Sequence, residues 1–533
     1  MTRLLGFCLI LGMGIPLANS LAACTDPASF GAVPDDNAGD STAIQQALDA
    51  VPAGGVVCLG SGTFDIETPL TLSRRLTLQG HWDTTLAMRA DSNGNPNTVM
   101  EIPGLYQNPA LSNRFPSGIK IERLTFDGRR NPQPTTGTGA GWFGLWVQQA
   151  RNLTLRDLVF KGFVLEGLTV SNGLRGNENV KIERVAVYDY ARMGIHIGTC
   201  KTCSIKSVLT DDQNTWLDVN EGGSGVGIDV EVEGGSADYL NHDKVDDLMI
   251  EQAVMDKVKL LSATGAISIT PAHGPVSHVT VRNSTAHNGG IGVLGADCVF
   301  PGGVSCRPNN ISFLGNWIGF PNVEAAVGGI AANLSDNITL INNRIGIPGG
   351  NDTHGISMTD VHTATGTGNI LLRNKAYDGV AGYSTGAIQT FDDLPEYAES
   401  SNVTFQLLDS GPTRSRYYWL TSFTPGGSHQ TATHPNFSVT FSKGGKDFNQ
   451  LLAPRLTVAL DGQNLTVTGQ DPQGYPLRAI VLHNAYLESW MPLVSGRSKT
   501  VTLRRLPQTG DSIEVRIYSP YGLKDATTIH VGA

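Results

Sequence analysis

The feature that most restricts the fold is a motif that returns at nearly regular intervals through the middle of the chain. It opens with apolar–x–apolar alternation, passes through a polar pair and closes on apolar or small residues. It reads IKIERLTF at 119–126, LTLRDLVF at 153–160, VKIERVAV at 180–187 and, more weakly, SIKSVLT at 204–210. It continues as LMIEQAVM at 248–255, VTVRNSTA at 279–286, ISFLGNWI at 311–318, ITLINNRI at 338–345 and ILLRNKAY at 370–377, and fades at VTFQLL, 403–408. Most spacings lie between 23 and 34 residues. A unit this short cannot bury its own apolar edge, whereas stacked units share one core, so a solenoid of strand-built coils is expected. Asn152, Asn179, Asn310, Asn337 and Asn369 precede several copies and read as turn residues or a stacked amide ladder.

A second series of short strands lies between these copies: GLTV at 167–170, GIHI at 194–197, GIDVEVE at 227–233, AISI at 266–269, GIGV at 290–293 and GISM at 355–358. Side chains alternate between the faces of a strand. Ile228, Val230 and Val232 therefore share one face, and Asp229, Glu231 and Glu233 the other. Three carboxylates on one face repel each other and give no structural benefit. If the segments stack in parallel, their outward positions form a ladder: Trp146, Thr169, His196, Asp229, Ser268, Gly292 and, further on, Ser357. The rhythm breaks once, between Ile205 and Ile250, where the excess falls at 211–225 and 234–247 on either side of GIDVEVE. Long insertions in a regular scaffold usually carry function. Another, at 129–141, would form a groove wall.

The 63 glycines and only 16% charged residues suit many short strands joined by turns. A net charge of −10, with no basic run, argues against a nucleic-acid partner. Arg3, the apolar stretch from Leu4 to Leu17 and Ser20-Leu21-Ala22 form the pattern of a cleaved secretory signal, too short and Gly-rich for a membrane span. Leu21-Ala22-Ala23-Cys24 also fits a bacterial lipobox. Beyond the signal, six cysteines remain, and Cys24–Cys58, Cys200–Cys203 and Cys298–Cys306 are the natural pairs in an exported protein. A lipidated Cys24 would strand Cys58, so secretion or periplasmic export is favoured over an outer-membrane lipoprotein. The CxxC at 200–203 lacks the second pair a zinc ribbon needs.

Near the N-terminus, FGAVPDD at 30–36, DSTAIQQALDA at 40–50 and GGVVCLGSGTFDI at 54–66 resemble the signature of the pectate-lyase-like, rhamnogalacturonase/epimerase-type right-handed β-helix superfamily. The family's usual glycine after the valine is Pro34 here, and Ser61 replaces the usual proline before the Gly-Thr pair. The resemblance covers about a tenth of the chain. It implies the fold rather than the reaction, because lyases, hydrolases, epimerases and phage tailspikes share it. The residues themselves agree: Ser41 can N-cap a helix that carries Ile44, Ala47, Leu48 and Val51 on one face. Such a helix can plug the open end of a solenoid.

The expected fold is all-β: a right-handed single-stranded parallel β-helix with an N-terminal capping helix and a C-terminal antiparallel β-sandwich. Residues 1–22 form the signal peptide, 23–408 the β-helix and 409–454 an irregular linker. Residues 455–533 form a fibronectin- or immunoglobulin-like sandwich, with a tight turn at Asp461-Gly462. Capping of the solenoid's C-terminal end is the default role for the sandwich.

For chemistry, Asp229 and Glu231 lie two apart on one strand, roughly 6.6 Å between Cα atoms. That is compatible with the carboxyl separation of about 6.5–9.5 Å in inverting glycosidases. His196, one rung away, could fix the protonation of a carboxylate or carry a proton. Against this stands a solvated strand face or a Ca²⁺ site built from the acids; otherwise no cofactor is required. Asp211 and Asp212 open the long insertion. The pair resembles one motif of polygalacturonase-type hydrolases and GIHIG another, but the remaining motifs, including Arg-x-Lys, are not in order and that family is not assigned. Trp146 and Tyr188 offer ring faces for sugars, and Thr169, Arg192 and Ser268 complete the expected substrate-binding set. A lyase or C5-epimerase must neutralise a uronate carboxylate, and an acidic groove would repel a polyuronate. The expectation is thus an exported enzyme cleaving a polysaccharide, with glycoside hydrolysis ahead of a lyase or epimerase and of a non-catalytic glycan-binding surface protein. No oligomeric state is assigned.

Overall fold

The computed structural model describes residues 24–89, 98–104, 116–129, 143–171, 176–212, 225–232, 244–256, 266–287, 289–296, 299–300, 303–319, 329–347, 354–374, 386–390, 401–409, 418–420, 437–443, 447–448, 452–520 and 522–532. The expected signal peptide, and most of the insertions at 129–141, 211–225 and 234–247, lie outside them.

The repeat folds as its spacing predicts, into a parallel β-helix. From 119–126 to 338–345 each motif copy is a strand bonded in parallel to its neighbouring copies, whereas Ile338 to Ile341 next meet Ala364 to Thr367, so ILLRNKAY at 370–377 lies out of the expected register and Ile370 pairs with Arg344. The inward positions stack from coil to coil: Leu78, Ile121, Leu155, Ile182, Ile205, Ile250, Val281, Phe313 and Leu340 form one continuous ladder. All are essentially unexposed. Burying each such side chain contributes about 1.5–3 kcal/mol, and only stacking makes that burial available to a single coil.

The polar residues of the motif turn the corners. Asp157, Arg184, Ser207, Gln252 and Asn283 occupy one corner with φ between 51° and 58°. A second corner holds Asn152, Asn179, Asn310 and Asn337, also left-handed. Asparagine tolerates that conformation better than most residues. The expected turn and ladder roles coexist there, since Asn179 Nδ2 donates to Asn152 Oδ1 at 2.6 Å. Asn369 is different. It belongs to an internal amide ladder in which Asn343 Oδ1 accepts from Asn316 N (2.9 Å) and Asn369 Oδ1 from Asn343 N (3.0 Å).

At the N-terminal end the helix Ser41–Ala50 presents Ile44, Ala47 and Leu48 to the core. Ser41 does not cap it. Asp40 holds the N-cap position, and the Ser41 hydroxyl instead accepts from Glu67 N and Thr68 N, which ties the helix to the first coil. Cys24–Cys58 and Cys200–Cys203 are disulfides. Cys306 is disulfide-bonded too, and its expected partner Cys298 lies outside the described residues.

Parallel pairing continues past residue 408: Val403 to Asp409 pair with Phe437 to Lys443. Coils therefore extend into the stretch expected to be an irregular linker. FSVTFSK alternates like its predecessors but lacks their polar pair. The C-terminal strands form a three-stranded and a four-stranded antiparallel sheet, with Asp461 opposite Asn464 across the expected turn.

This sandwich packs along the side of the solenoid rather than over its end. Ile480, Leu482, Leu487 and Tyr518 cover Ala186, Leu209 and Val254. Around that apolar contact, Arg516 pairs with Asp211 (2.6 Å) and Asp256 (3.0 Å), and Lys524 with Asp256 (2.8 Å). Arg504 bridges Glu488 and Asp157. An acidic strip on the solenoid thus meets a basic strip on the sandwich.

Candidate active site

The second series of strands stacks as its alternation predicts. Leu145, Leu168, Ile195, Ile228, Ile267, Ile291, Ile330 and Ile356 form its inward ladder. The outward ladder runs Glu101, Trp146, Thr169, His196, Asp229, Ser268, Gly292, Ala331 and Ser357. His196 therefore sits directly across from Asp229 on the neighbouring strand, at a strand spacing of about 4.8 Å. Glu233 lies outside the described residues.

The outward side chains at the centre of this ladder are almost fully enclosed. His196 is 0% exposed, Thr169 and Asp229 2%, and Ser268 4%. Trp146 is half-buried and stacks on Phe143, with ring centroids 5.4 Å apart.

One further acid completes the group. Glu166 opens the Glu166–Val170 strand and is 1% exposed. It accepts from the Thr169 hydroxyl, lies 3.3 Å from Arg192 Nη1, and its Oε2 is 3.3 Å from His196 Nδ1. Burial alone would raise its pKa. The charge and hydrogen bond of His196, with Thr169 and Arg192, outweigh burial and hold the carboxyl below its usual range. The other imidazole nitrogen, Nε2, is 3.1 Å from the backbone carbonyl of Glu231, which can only accept. Both ring nitrogens therefore face acceptors, an arrangement that favours the doubly protonated, cationic ring.

Asp229 responds in the opposite sense. Burial pushes its carboxyl up to about 7, against the charge of His196 and a hydrogen bond from Ser268, and with the charge of Glu231 adding to the rise. Its Oδ2 is buried and meets no hydrogen-bond donor among the described residues. The Glu231 side chain also comes close enough to Asp229 to interact with it directly, which adds to the rise.

The structure thus brings His196, Asp229, Glu231, Thr169, Ser268 and Arg192 onto one edge, with Trp146 on the same ladder. Two expected members lie elsewhere. Asp211 and Tyr188 belong to the outward ladder Asp127, Lys161, Tyr188, Asp211 and Asp256 on the face that the sandwich covers. Asp211 is 0% exposed and paired with Arg516, while the Tyr188 hydroxyl donates to Ala485 O at 2.9 Å. Both carry the interface rather than the candidate site. Asp212 is buried close enough to Tyr190 for its charge to oppose ionisation of that phenol, although burial is the larger cause. Glu166 was legible only through register: it stands one residue before the segment GLTV, where alternation stops being a guide. The expected repulsion of a polyuronate also weakens, because Arg192 lies beside Glu166 and the Asp229 carboxyl is raised to about 7. Among the described residues no group of three His, Cys, Asp or Glu side chains is arranged to hold a metal ion.

Residues 28–161 match the family model described as rhamnogalacturonase A/epimerase, pectate lyase-like. No curated protein matches the sequence. Among solved structures, the A-module of the Azotobacter vinelandii mannuronan C-5 epimerase AlgE6 aligns over 80% of this chain and 99% of its own, at 15% identity and a TM-score of 0.48. PfbA, a surface adhesin of Streptococcus pneumoniae, aligns over 71% and 94%, at 14% identity and 0.48. The tailspike gp49 of Acinetobacter baumannii bacteriophage Fri1, a capsular polysaccharide depolymerase, aligns over 95% and 79%, at 12% identity and 0.43.

Proposed function

We propose that this parallel β-helix, whose residues 28–161 match a pectate-lyase-like family model, is an exported enzyme acting on a polysaccharide along the Trp146–Ser268 edge. The observation that carries this reading is the Asp229 carboxyl, buried without a donor for Oδ2, raised to about 7 and set directly opposite His196. A neutral carboxyl kept in an enclosed site is a competent proton donor.

The favoured reaction is glycoside hydrolysis. Asp229 gives its proton to the departing glycosidic oxygen, and Glu231 takes one from the attacking water. Glu231 is only half-buried. Its longer side chain can therefore swing away from Asp229 as substrate enters, which opens the separation that hydrolysis needs. In this reading His196, flanked by Glu166 and the Glu231 carbonyl, positions the carboxyls rather than shuttling protons. Trp146 offers a ring face to the sugar.

Arg192 and the cationic ring of His196 favour a second reading, a lyase or C5-epimerase acting on a uronate polymer, because they could neutralise a uronate carboxylate. Product analysis separates the two. A hydrolase releases reducing ends without new ultraviolet absorbance, a lyase adds unsaturated, absorbing ends, and an epimerase changes sugar configuration without shortening the chain. Export is supported by the Cys24–Cys58 and Cys200–Cys203 disulfides, and by the engagement of Cys24, which leaves no thiol there for a lipid. No helix among the described residues is long and apolar enough to cross a membrane.

A further inference from the structure

Two arginines meet at the seam between solenoid and sandwich. Arg478, on the sandwich, lies with its Cζ 4.0 Å from the ring centroid of Trp317 and 5.5 Å from that of Trp490. Arg344, on the solenoid, has its Cζ 5.6 Å from Trp317 and 6.0 Å from Tyr475. Arg478 is 6% exposed. Its hydrogen bonds go to neutral oxygens: Nη1 to Ser284 O (2.6 Å) and Thr285 Oγ1 (3.1 Å), and Nη2 to Gly315 O (2.6 Å). Arg344 is half-buried, and its Nη1 is buried without any hydrogen-bond acceptor.

The other arginines of the seam carry carboxylates. Arg516 has Asp211 and Asp256, and Arg504 has Glu488 and Asp157. Among the described residues no carboxylate pairs with Arg344 or Arg478. Burial lowers the pKa of both, and the charge of Arg344 lowers that of Arg478 further, to about 9. Two neighbouring cations in a partly dry setting, one with an unmet buried donor, are unfavourable unless an anion joins them.

The geometry points to an oxyanion subsite at this seam, in which Arg344 receives the carboxylate of an acidic sugar whose ring face lies on Tyr475. Guanidinium matches a carboxylate or sulfate through paired N–H groups, and a half-buried tyrosine suits the apolar face of a pyranose. Arg478 adds charge from beneath without spending its own hydrogen bonds. The subsite uses no residue of the candidate active edge, so it stands independently of the reaction proposed there. It provides a second hold on an acidic glycan, shared between the two domains.

The test is calorimetric titration of the full chain with glucuronate, galacturonate, glucose and inorganic sulfate. The uronates are expected to bind more tightly than glucose and to weaken with added salt. Arg344→Gln should weaken uronate binding about tenfold or more, and Arg344→Lys by less. Lys181→Gln, at an exposed lysine outside both the seam and the candidate edge, should leave it unchanged, which separates the subsite from general charge attraction. Uronate binding that survives Arg344→Gln overturns the proposal. Binding of sulfate alone overturns the acidic-sugar assignment. Should Arg344→Gln not fold, affinity for uronates no greater than for glucose, or insensitive to salt, has the same consequence.

Discussion

His196 faces Asp229 across one rung of parallel strand pairing, while its Nε2 reaches past to the Glu231 carbonyl and its Nδ1 lies against Glu166. One imidazole thereby lies among three acidic residues, and it draws the carboxyls of Glu166 and Asp229 down, while burial prevails only at Asp229. Glu166 is held ionised, whereas the Asp229 carboxyl stays protonated to about pH 7. Carboxyls whose environments push their pKa values apart are the material of acid–base chemistry.

The Asp229 pKa is raised in the folded state from an ordinary 3.8 to about 7. The folded chain thus binds more protons than the unfolded chain between those values. The associated stability is complete below about pH 4 and is lost as pH rises through about 7. Asp229→Asn removes the charge, so its Tm should exceed that of the wild type at pH 8 and match it at pH 4. Thermal denaturation across that range checks this. A proton donor must also be protonated to act, so kcat should decline as pH rises past about 7.

Glu166→Gln should lower the pKa of the His196 ring and reduce activity by about 10- to 100-fold, with KM little changed. Imidazole chemical shifts followed through a pH titration give the first readout. They would not move if Glu166 served packing alone. Because the Glu166 pKa is depressed, its stabilising contribution is present above the ordinary 4.5 and is lost as pH falls through the folded value.

Arg516→Ala should destabilise the chain by about 3–5 kcal/mol, since it leaves Asp211 and Asp256 buried with less compensation. Burial raises the pKa of Asp256. His287, Lys524 and Arg516 more than reverse that and hold it far below the usual range. The wild-type interface should therefore persist through mild acid and loosen only as pH falls well below 4. Chemical denaturation at several pH values measures both effects. Removal of residues 455–533 should lower solubility by uncovering Ala186, Leu209 and Val254 together with these acids.

Asn343→Leu should cost about 2–4 kcal/mol. It deletes the acceptor for Asn316 N and the donor to Phe313 O and Asn369 Oδ1, all in a dry interior. A denaturant midpoint shift without a change in slope would register it.

Much of this was written in local pattern. Period-two alternation fixed which face Ile228 and Asp229 occupy, and the recurrence of the motif fixed the neighbours of His196. Glu166 escaped because it stands at a strand end, where alternation gives way to a corner. Asp211 and Tyr188 were misplaced for a different reason. Their partners, Arg516 and Ala485, lie some 300 residues away in another domain, and no local periodicity encodes where two domains dock. The proximity of the Asp229 and Glu231 carboxyls likewise depends on rotamers, which strand spacing does not set.

The most direct test compares Asp229→Asn with Asp211→Asn on a polysaccharide that the wild type turns over, with products counted per mole of folded protein. Asp229→Asn should lose about 100-fold or more, and Asp211→Asn should keep nearly full turnover. Full turnover by Asp229→Asn, or a collapse confined to Asp211→Asn, would contradict the assignment of Asp229 as the proton donor.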